Sequence, residues 1–347
     1  MQRRRFIAHG AAWSAAASLA ALSRPAAAQA LEKPKLTLAV GGKNLLYYLP
    51  LTIAESLGYF KAEGLEVQIV DFAGGSQALR AVVGGSADVV SGAFEHTLLM
   101  QAKGQHLRAF VLQGRAPQIV FAVSKKAMPN FKSVADLKGR KIGVTAPGSS
   151  TNVMANFVLA KAGLKPSDVS FIGVGATSAA IAAIKQGQID ALSHLDPVIT
   201  ILERAGDIRV VADTRVVADA DKLFGGPMPA ACLYAPQSFI DKNPNTVQAL
   251  ANAIVRADKW IQNAGASDII KAVPESYLLG DRAVYVDAFI AAKGALSPDG
   301  MIPEAGAETA RRALASIDPE IASAKVDLAA IWTNDYVKRA NAKYPKG

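Results

Sequence analysis

The sequence predicts an α/β protein of two similar lobes, each a mostly parallel sheet flanked by helices. Three observations carry this. Short apolar strands alternate with helical stretches, the pattern of a parallel sheet covered by helices. The pattern runs once and then returns. Aligned at an offset of 102 without gaps, residues 74–92 and 176–194 share six identities in nineteen positions.

In the first run, "KLTLAV" (Lys35–Val40) reads as a strand. "LLYYLPLTIAESLGYF" reads as helical with a proline near its start, and "LEVQIVDF" as a second strand. "GGSQALRAVVGG" is a loop opening a helix, and "ADVVSG" is a third strand. The second run begins with strand, loop and helix in "RKIGVTAPGSSTNVMANFVLAKAGL". "DVSFIGV" is a strand, "GATSAAIAAIKQG" is loop and helix, and "QIDALSH" closes the run. The identical pairs are Ser76/Ser178, Ala78/Ala180, Ala81/Ala183, Gly85/Gly187, Asp88/Asp190 and Ser91/Ser193. Any two such units share apolar strands and alanine-rich helices. The co-registered Gly, Asp and Ser favour a structural duplication. Beyond about Pro236 the chain reads as helices packed on one lobe, with Asn243 placed to cap a helix that has Pro244 at its first position.

The first thirty residues stand apart. A basic start, a small-residue apolar middle and "AQA" at the end read as a secretory signal peptide cleaved after Ala30. "RRRF" fits a twin-arginine signal, with an ordinary Sec signal as the alternative. The expected location is a bacterial periplasm. Without the leader the chain has 34 basic and 29 acidic residues, a mild +5. The charges are scattered, with no basic stripe, so nucleic acid is not an expected partner. Cys232 is the only cysteine, so no internal disulfide forms. Past the leader no apolar run is long enough to span a membrane.

Catalytic signatures are absent. There is no G-x-S-x-G, S-x-x-K, H-E-x-x-H or phosphate-loop spacing. Three histidines remain after the leader, His96, His106 and His194, and no cluster suits zinc. His194 and Asp196 lie two apart, but a triad is defined by geometry rather than spacing, so that alternative stays open. No catalytic residue, metal or cofactor is expected.

In open parallel sheets, ligands bind beyond the carboxyl ends of the strands. The facing loops are then residues 41–44, 74–77 and 92–95 on one side, with 146–152, 175–178 and 194–197 on the other. "PGSSTN" places Ser149, Ser150, Thr151 and Asn152 at a helix start, where free N–H groups and hydroxyls accept ligand oxygens. One cap needs one hydroxyl, so three suggest more than capping. Ser76 is the same device in the other half. Glu95, His194 and Asp196 could receive an amine or ring N–H; solvated charge or capping is the plainer alternative for each. Tyr47 and Tyr48 could stack on a flat ligand or be core. Lys43 and Arg115 could pair with a carboxylate or sulfonate.

The stretches Leu49–Val89, Ser133–Leu164 and Gln188–Val198 resemble the substrate-binding proteins of ABC importers of the nitrate, sulfonate and taurine type. The resemblance spans nearly the whole mature chain. It implies a type II periplasmic binding protein with the ligand in the cleft between lobes. Lobe 1 would hold residues 34–119 and 230–347, and lobe 2 residues 120–229. It further implies capture of a small organic molecule such as an aromatic carboxylate or sulfonate, and delivery to an inner-membrane permease by hinge closure. A monomer is expected. By position, the family's contacts fall on Gly42, Asn44, Tyr47, Tyr48, Ser76, Gln77, Ala93, Phe94, Glu95, Ser149 to Asn152, Leu195 to Pro197, and near Met228. Phe94 and Glu95 stand where small hydroxyl residues are common in sulfonate binders. That departure points toward an aromatic or amine-bearing ligand. Related pyrimidine synthases resemble the same scaffold but use a cysteine-rich iron segment, which Cys232 alone cannot supply. A ligand-sensing periplasmic subunit is a further alternative.

Overall fold

The computed structural model describes residues 30–346. The predicted leader lies outside the described residues except for Ala30. The first run forms β1 (Lys35–Gly41), a 3-10 turn at Leu46–Tyr48 leading into α1 (Leu49–Ser56), α2 (Tyr59–Ala62), β2 (Glu66–Phe72), α3 (Gly75–Val83), β3 (Val89–Ala93), α4 (Glu95–Ala102) and β4 (Leu107–Leu112). The chain then enters a second sheet as β5 (Val120–Ser124). It continues through β6 (Lys141–Val144), α5 (Ser150–Lys161), β7 (Ser170–Gly173), α6 (Ser178–Gln186), β8 (Ala191–His194), α7 (Val198–Arg204), β9 (Ile208–Asp213) and α8 (Val217–Phe224). It returns as β10 (Ala231–Pro236) and ends in helices: α9 (Gln237–Lys242), α10 (Pro244–Asn263), α11 (Ala266–Ala272), α12 (Arg282–Ala292), α13 (Glu304–Ala315), α14 (Pro319–Ser323) and α15 (Asp335–Lys343).

The two sheets have orders β2-β1-β3-β10-β4 and β7-β6-β8-β5-β9. These are the same order under the exchange β1 for β6, β2 for β7, β3 for β8 and β4 for β9. The remaining strand in each is the one that crosses over. β10 runs antiparallel to β3 and β4, and β5 runs antiparallel to β8 and β9. The duplication read in the sequence is therefore one of topology, and each sheet is parallel but for its crossing strand.

The co-registered aspartates do the same job twice. Asp88 accepts the Thr37 N–H at the start of β1 (2.9 Å), and Asp190 accepts the Lys141 N–H at the start of β6 (2.8 Å). Each ties the end of a helix-to-strand turn to the neighbouring parallel strand. Both faces of the first sheet are covered. Along β1, Leu36, Leu38 and Val40 enter one apolar core while Ala39 enters another, as a two-residue period requires.

The tail departs from expectation in two ways. Asn243 does precede Pro244, but its amide donates to the Phe239 carbonyl (2.8 Å). The cap of α10 is instead the Glu32 carboxylate, which accepts from the N–H groups of Asn245 and Thr246. An anion there suits the positive end of the helix dipole. The tail also reaches both lobes: α10 packs on α1 and α2, whereas α12 packs on α7 with Arg204 paired to Asp287. Among the described residues no helix is long and apolar enough to cross a membrane.

Candidate functional site

The loops after β1, β2 and β3 face the loops after β6, β7 and β8, and they touch. The Ser76 N–H donates to Ser149 Oγ (3.0 Å), and the Ser149 hydroxyl donates to Ser76 Oγ (3.3 Å). The Ser76 hydroxyl donates to the Pro147 carbonyl (2.9 Å). At the other end of the cleft the Leu46 N–H donates to the Asp196 carbonyl (3.0 Å). Two glycines allow this approach. A Cβ on Gly74 would lie 2.7 Å from the Ala146 Cβ. Gly42 has φ of +90°, and a Cβ there would lie 2.6 Å from the Ala176 Cβ.

The "PGSSTN" segment divides its groups among different tasks. Ser149 occupies the N-cap of α5, yet its side chain makes no cap bond and goes to Ser76 instead. Thr151 Oγ accepts the Thr145 N–H (3.1 Å) and lies 2.9 Å from the Thr145 hydroxyl, so it locks its own loop. Asn152 Oδ1 accepts the Gly148 N–H (2.9 Å). Ser150 is half-buried and faces a cavity between the lobes.

That cavity is lined by Tyr47 and Glu95 from the first lobe and by Ser150, Val153, Met154, Phe157 and Phe224 from the second. Pro117, Ile119, Met228 and Ala230 come from the connecting segments, and Ala313 and Ile317 from the tail. It offers about 20 Å³ to water, room for roughly one molecule. Small-molecule pockets typically measure about 300–1,000 Å³, so occupancy requires the lobes to part or side chains to move.

The polar groups here are buried and poorly compensated. Glu95 is 4% exposed, and burial pushes its carboxyl up to about 7 against the help of its own backbone N–H. His96 is fully buried; desolvation takes it down to about 4, and its Nδ1 lies 3.1 Å from the Tyr234 hydroxyl. Tyr47 and Tyr48 stack edge to face at 4.8 Å, and burial raises both phenols. Cys232 lies buried in β10, its thiol pushed well up by burial.

The remaining candidate residues separate into two groups. Gly42 shapes the β1 loop, and Asn44 carries a buried Oδ1 with no hydrogen-bond partner. Gln77 sits at the α3 start and its Oε1 accepts the Ala73 N–H (3.3 Å). Met228 lines the cavity. Ala93 and Phe94 are buried, Phe94 within the first lobe's core rather than on the cavity wall.

Other side chains are engaged elsewhere. Arg115 is exposed, donates from Nε to the Gly294 carbonyl (2.9 Å), and borders a different hollow of about 630 Å³ between the tail loops and the lobe connection. His194 directs Nε2 to the Gly175 carbonyl (2.9 Å) and is held neutral by burial. Asp196 caps α7 through the Thr200 N–H and hydroxyl (2.9 and 2.7 Å) and pairs with Arg215 (3.4 Å). Its carboxyl is raised by burial, against that pairing. Pro197 follows it through a cis peptide and is buried. Lys43 pairs with Glu55. The Ser-His-Asp alternative gains no geometry: among the described residues neither Ser149 nor Ser150 hydrogen-bonds to a histidine.

The apolar wall was not legible. Val153, Met154 and Phe157 follow "GSST" on one helix at spacings that share a face, which is the only sequence signal available.

Two mixed sheets joined by two crossings, with opposed strand-end loops, define the periplasmic-binding-protein fold. The chain belongs to the NMT1/THI5-like family, whose model matches residues 46–264. A solved structure from Bordetella bronchiseptica RB50 is 66% identical, covers 91% of this chain and 100% of that one, and has a TM-score of 0.90. The alkanesulfonate-binding protein SsuA from Xanthomonas axonopodis pv. citri, bound to MOPS, is 22% identical with a TM-score of 0.66, over 87% of this chain and 99% of that one. Among curated relatives, "Putative binding protein YtlA" of Bacillus subtilis is 25% identical over 67% of this chain and 68% of its own. The 4-amino-5-hydroxymethyl-2-methylpyrimidine phosphate synthase of Schizosaccharomyces pombe is 28% identical over 63% of each.

Proposed function

We propose that this protein is the periplasmic solute-binding component of an ABC importer, capturing a small organic molecule between its lobes and presenting the closed form to an inner-membrane permease. The lobes would be residues 34–119 with 230–347, and residues 120–229, hinged at the two connections. The single observation that carries this is the direct contact of Ser76 with Ser149 across the cleft, beside a cavity walled by both lobes. Opposed loops that hydrogen-bond when closed are what a clamp requires. A ligand that binds the closed form better raises its population.

The relatives named as synthases raise an enzyme as the second role. Two features favour binding instead. The one cysteine is buried with its thiol protonated, so it is not a nucleophile. Among the described residues no base is hydrogen-bonded to the cavity serine, Ser150. The protein acts as a monomer in this account, and its export depends on the leader.

Native mass spectrometry of protein purified from the periplasm tests the role. A small molecule held stoichiometrically, and released on unfolding, is expected. An empty cleft that answers to no small molecule in calorimetric titration contradicts it.

A further inference from the structure

We infer that the ligand is an aromatic molecule, neutral or cationic, that presents an N–H donor, and that Glu95 selects it. This rests on the solute-binding role proposed above and narrows it to a chemical class.

Glu95 is the only charged side chain among those lining the cavity. It is 4% exposed. Among the described residues no other side chain ion-pairs or hydrogen-bonds to its carboxylate. A buried carboxylate with only its own backbone N–H to offset desolvation is costly, and a donor arriving with the ligand reduces that cost. The rest of the lining suits a flat apolar body: Tyr47, Phe157, Phe224, Met154 and Met228.

An anionic ligand finds the reverse. No Lys or Arg lines the cavity, and its hydroxyls are those of Ser150 and Tyr47. Lys161, over the Phe157 ring, donates to the Leu223 carbonyl, and the other cations of the cleft loops are also committed elsewhere. Lys43 pairs with Glu55, Arg115 is turned to Gly294, and Arg215 is held by Asp213, Glu203 and Asp196. A sulfonate or carboxylate would lie beside Glu95 with no countercharge; the two like charges oppose each other unless Glu95 keeps its proton, so such a ligand would gain no ion pair in this site. The groups around Glu95 are Tyr47, Tyr48, Tyr234, Cys232 and His96. Burial keeps the phenols and thiol protonated and the imidazole neutral at ordinary pH. Glu95 is thus the group there that titrates near neutrality. Binding a cation would draw off its proton, so affinity rises with pH.

The test is calorimetric titration with shape-matched probes: benzamidine and 2-aminopyridine against benzoate and benzenesulfonate. The wild-type protein and Glu95→Gln are compared, with near-UV circular dichroism to check folding. Expected are binding of benzamidine or 2-aminopyridine but not of the anions, and a loss of about tenfold or more in Glu95→Gln. Benzamidine affinity should also be several-fold higher at about pH 8 than at about pH 5.5. Should Glu95→Gln not fold, the wild-type probe preference and pH dependence decide alone. Preference for an anion, unchanged affinity in a folded Glu95→Gln, or silence to every probe overturns the inference. The two roles separate by the molecule that co-purifies. An anionic molecule in the cleft removes the inference and leaves solute binding intact, whereas an empty cleft with silent probes removes both.

Discussion

Ser76 and Ser149, 73 residues apart, hydrogen-bond to each other across the cleft, backbone N–H to Oγ at 3.0 Å and hydroxyl to hydroxyl at 3.3 Å. Each stands at the start of a helix that follows a strand-end loop, in opposite lobes. The side chain of the helix-capping residue of α5 therefore serves the other lobe, and its own helix is left with the two bonds its carbonyl accepts from Asn152 and Val153.

Single substitutions should separate the tasks within "PGSST". Ser149→Ala removes both cross-lobe bonds of its hydroxyl, each with a net worth of about 0.5–1.5 kcal/mol, lowering the closed population. Ser150→Ala lowers ligand affinity and leaves stability unchanged. Thr151→Val strands the buried Thr145 N–H and costs about 1–3 kcal/mol of stability. Denaturant titration and calorimetric binding distinguish the three. Equal effects from all of them would contradict the division.

Glu95 and His96 should oppose each other in the pH dependence of stability. The Glu95 carboxyl is raised from 4.5 to about 7, so the folded form holds a proton the unfolded form has lost. Its contribution to stability is present below about 4.5 and is lost as pH rises through 7. The His96 imidazole is lowered from 6.5 to about 4. Its contribution is present above 6.5 and is lost as pH falls through 4. Between about 4.5 and 6.5 the two slopes cancel. Glu95→Gln should gain stability relative to wild type as pH rises, and His96→Gln should gain as pH falls. Variant-minus-wild-type curves with no slope would contradict the assignment.

Asp258 is a buried acid without a partner. It is fully buried on α10, both carboxylate oxygens lack a hydrogen bond, and desolvation with nearby Asp299 holds its carboxyl well above the usual range. Its stabilising contribution belongs to the protonated form, so it is lost as pH rises. Asp258→Leu, which keeps the forked shape without the charge, is expected to stabilise the protein at neutral pH by about 1–3 kcal/mol. Chemical denaturation measures it. A loss of stability would show that Asp258 has a role the packing does not reveal.

Asp88 and Asp190 should behave as a matched pair. Replacing either by Ala removes the acceptor of a strand-start N–H, part-buried at Thr37 and exposed at Lys141, and costs about 0.5–1.5 kcal/mol, with ligand affinity unchanged. Similar losses in both lobes, read by urea unfolding, are the signature of the duplication. A loss of binding from either one would place it in the site instead.

The strands, the duplicated loops and Ser76, Ser149, Ser150 and Glu95 were readable because strand-end loops and hydroxyl-rich helix starts leave a local pattern. What escaped was decided by distant partners. Arg115, His194 and Asp196 read as candidate ligand contacts, and each is engaged by a group invisible in one dimension: the Gly294 carbonyl, the Gly175 carbonyl, and Thr200 with Arg215. Asn243 lost its capping role to Glu32 for the same reason. Phe157 and Phe224 were unreadable as cavity wall because an apolar residue on a helix looks the same whether it faces a core or a cleft.

If the two lobes close on a solute, a distance between them shortens when the solute binds. Spin labels attached at Lys61→Cys in the first lobe and Ser178→Cys in the second report it by pulsed electron resonance, both sites being exposed and Cys232 buried. A single short distance is expected with the co-purifying molecule bound, and a longer or broader distribution after unfolding, removal of that molecule and refolding. One unchanged distance in both samples would contradict it.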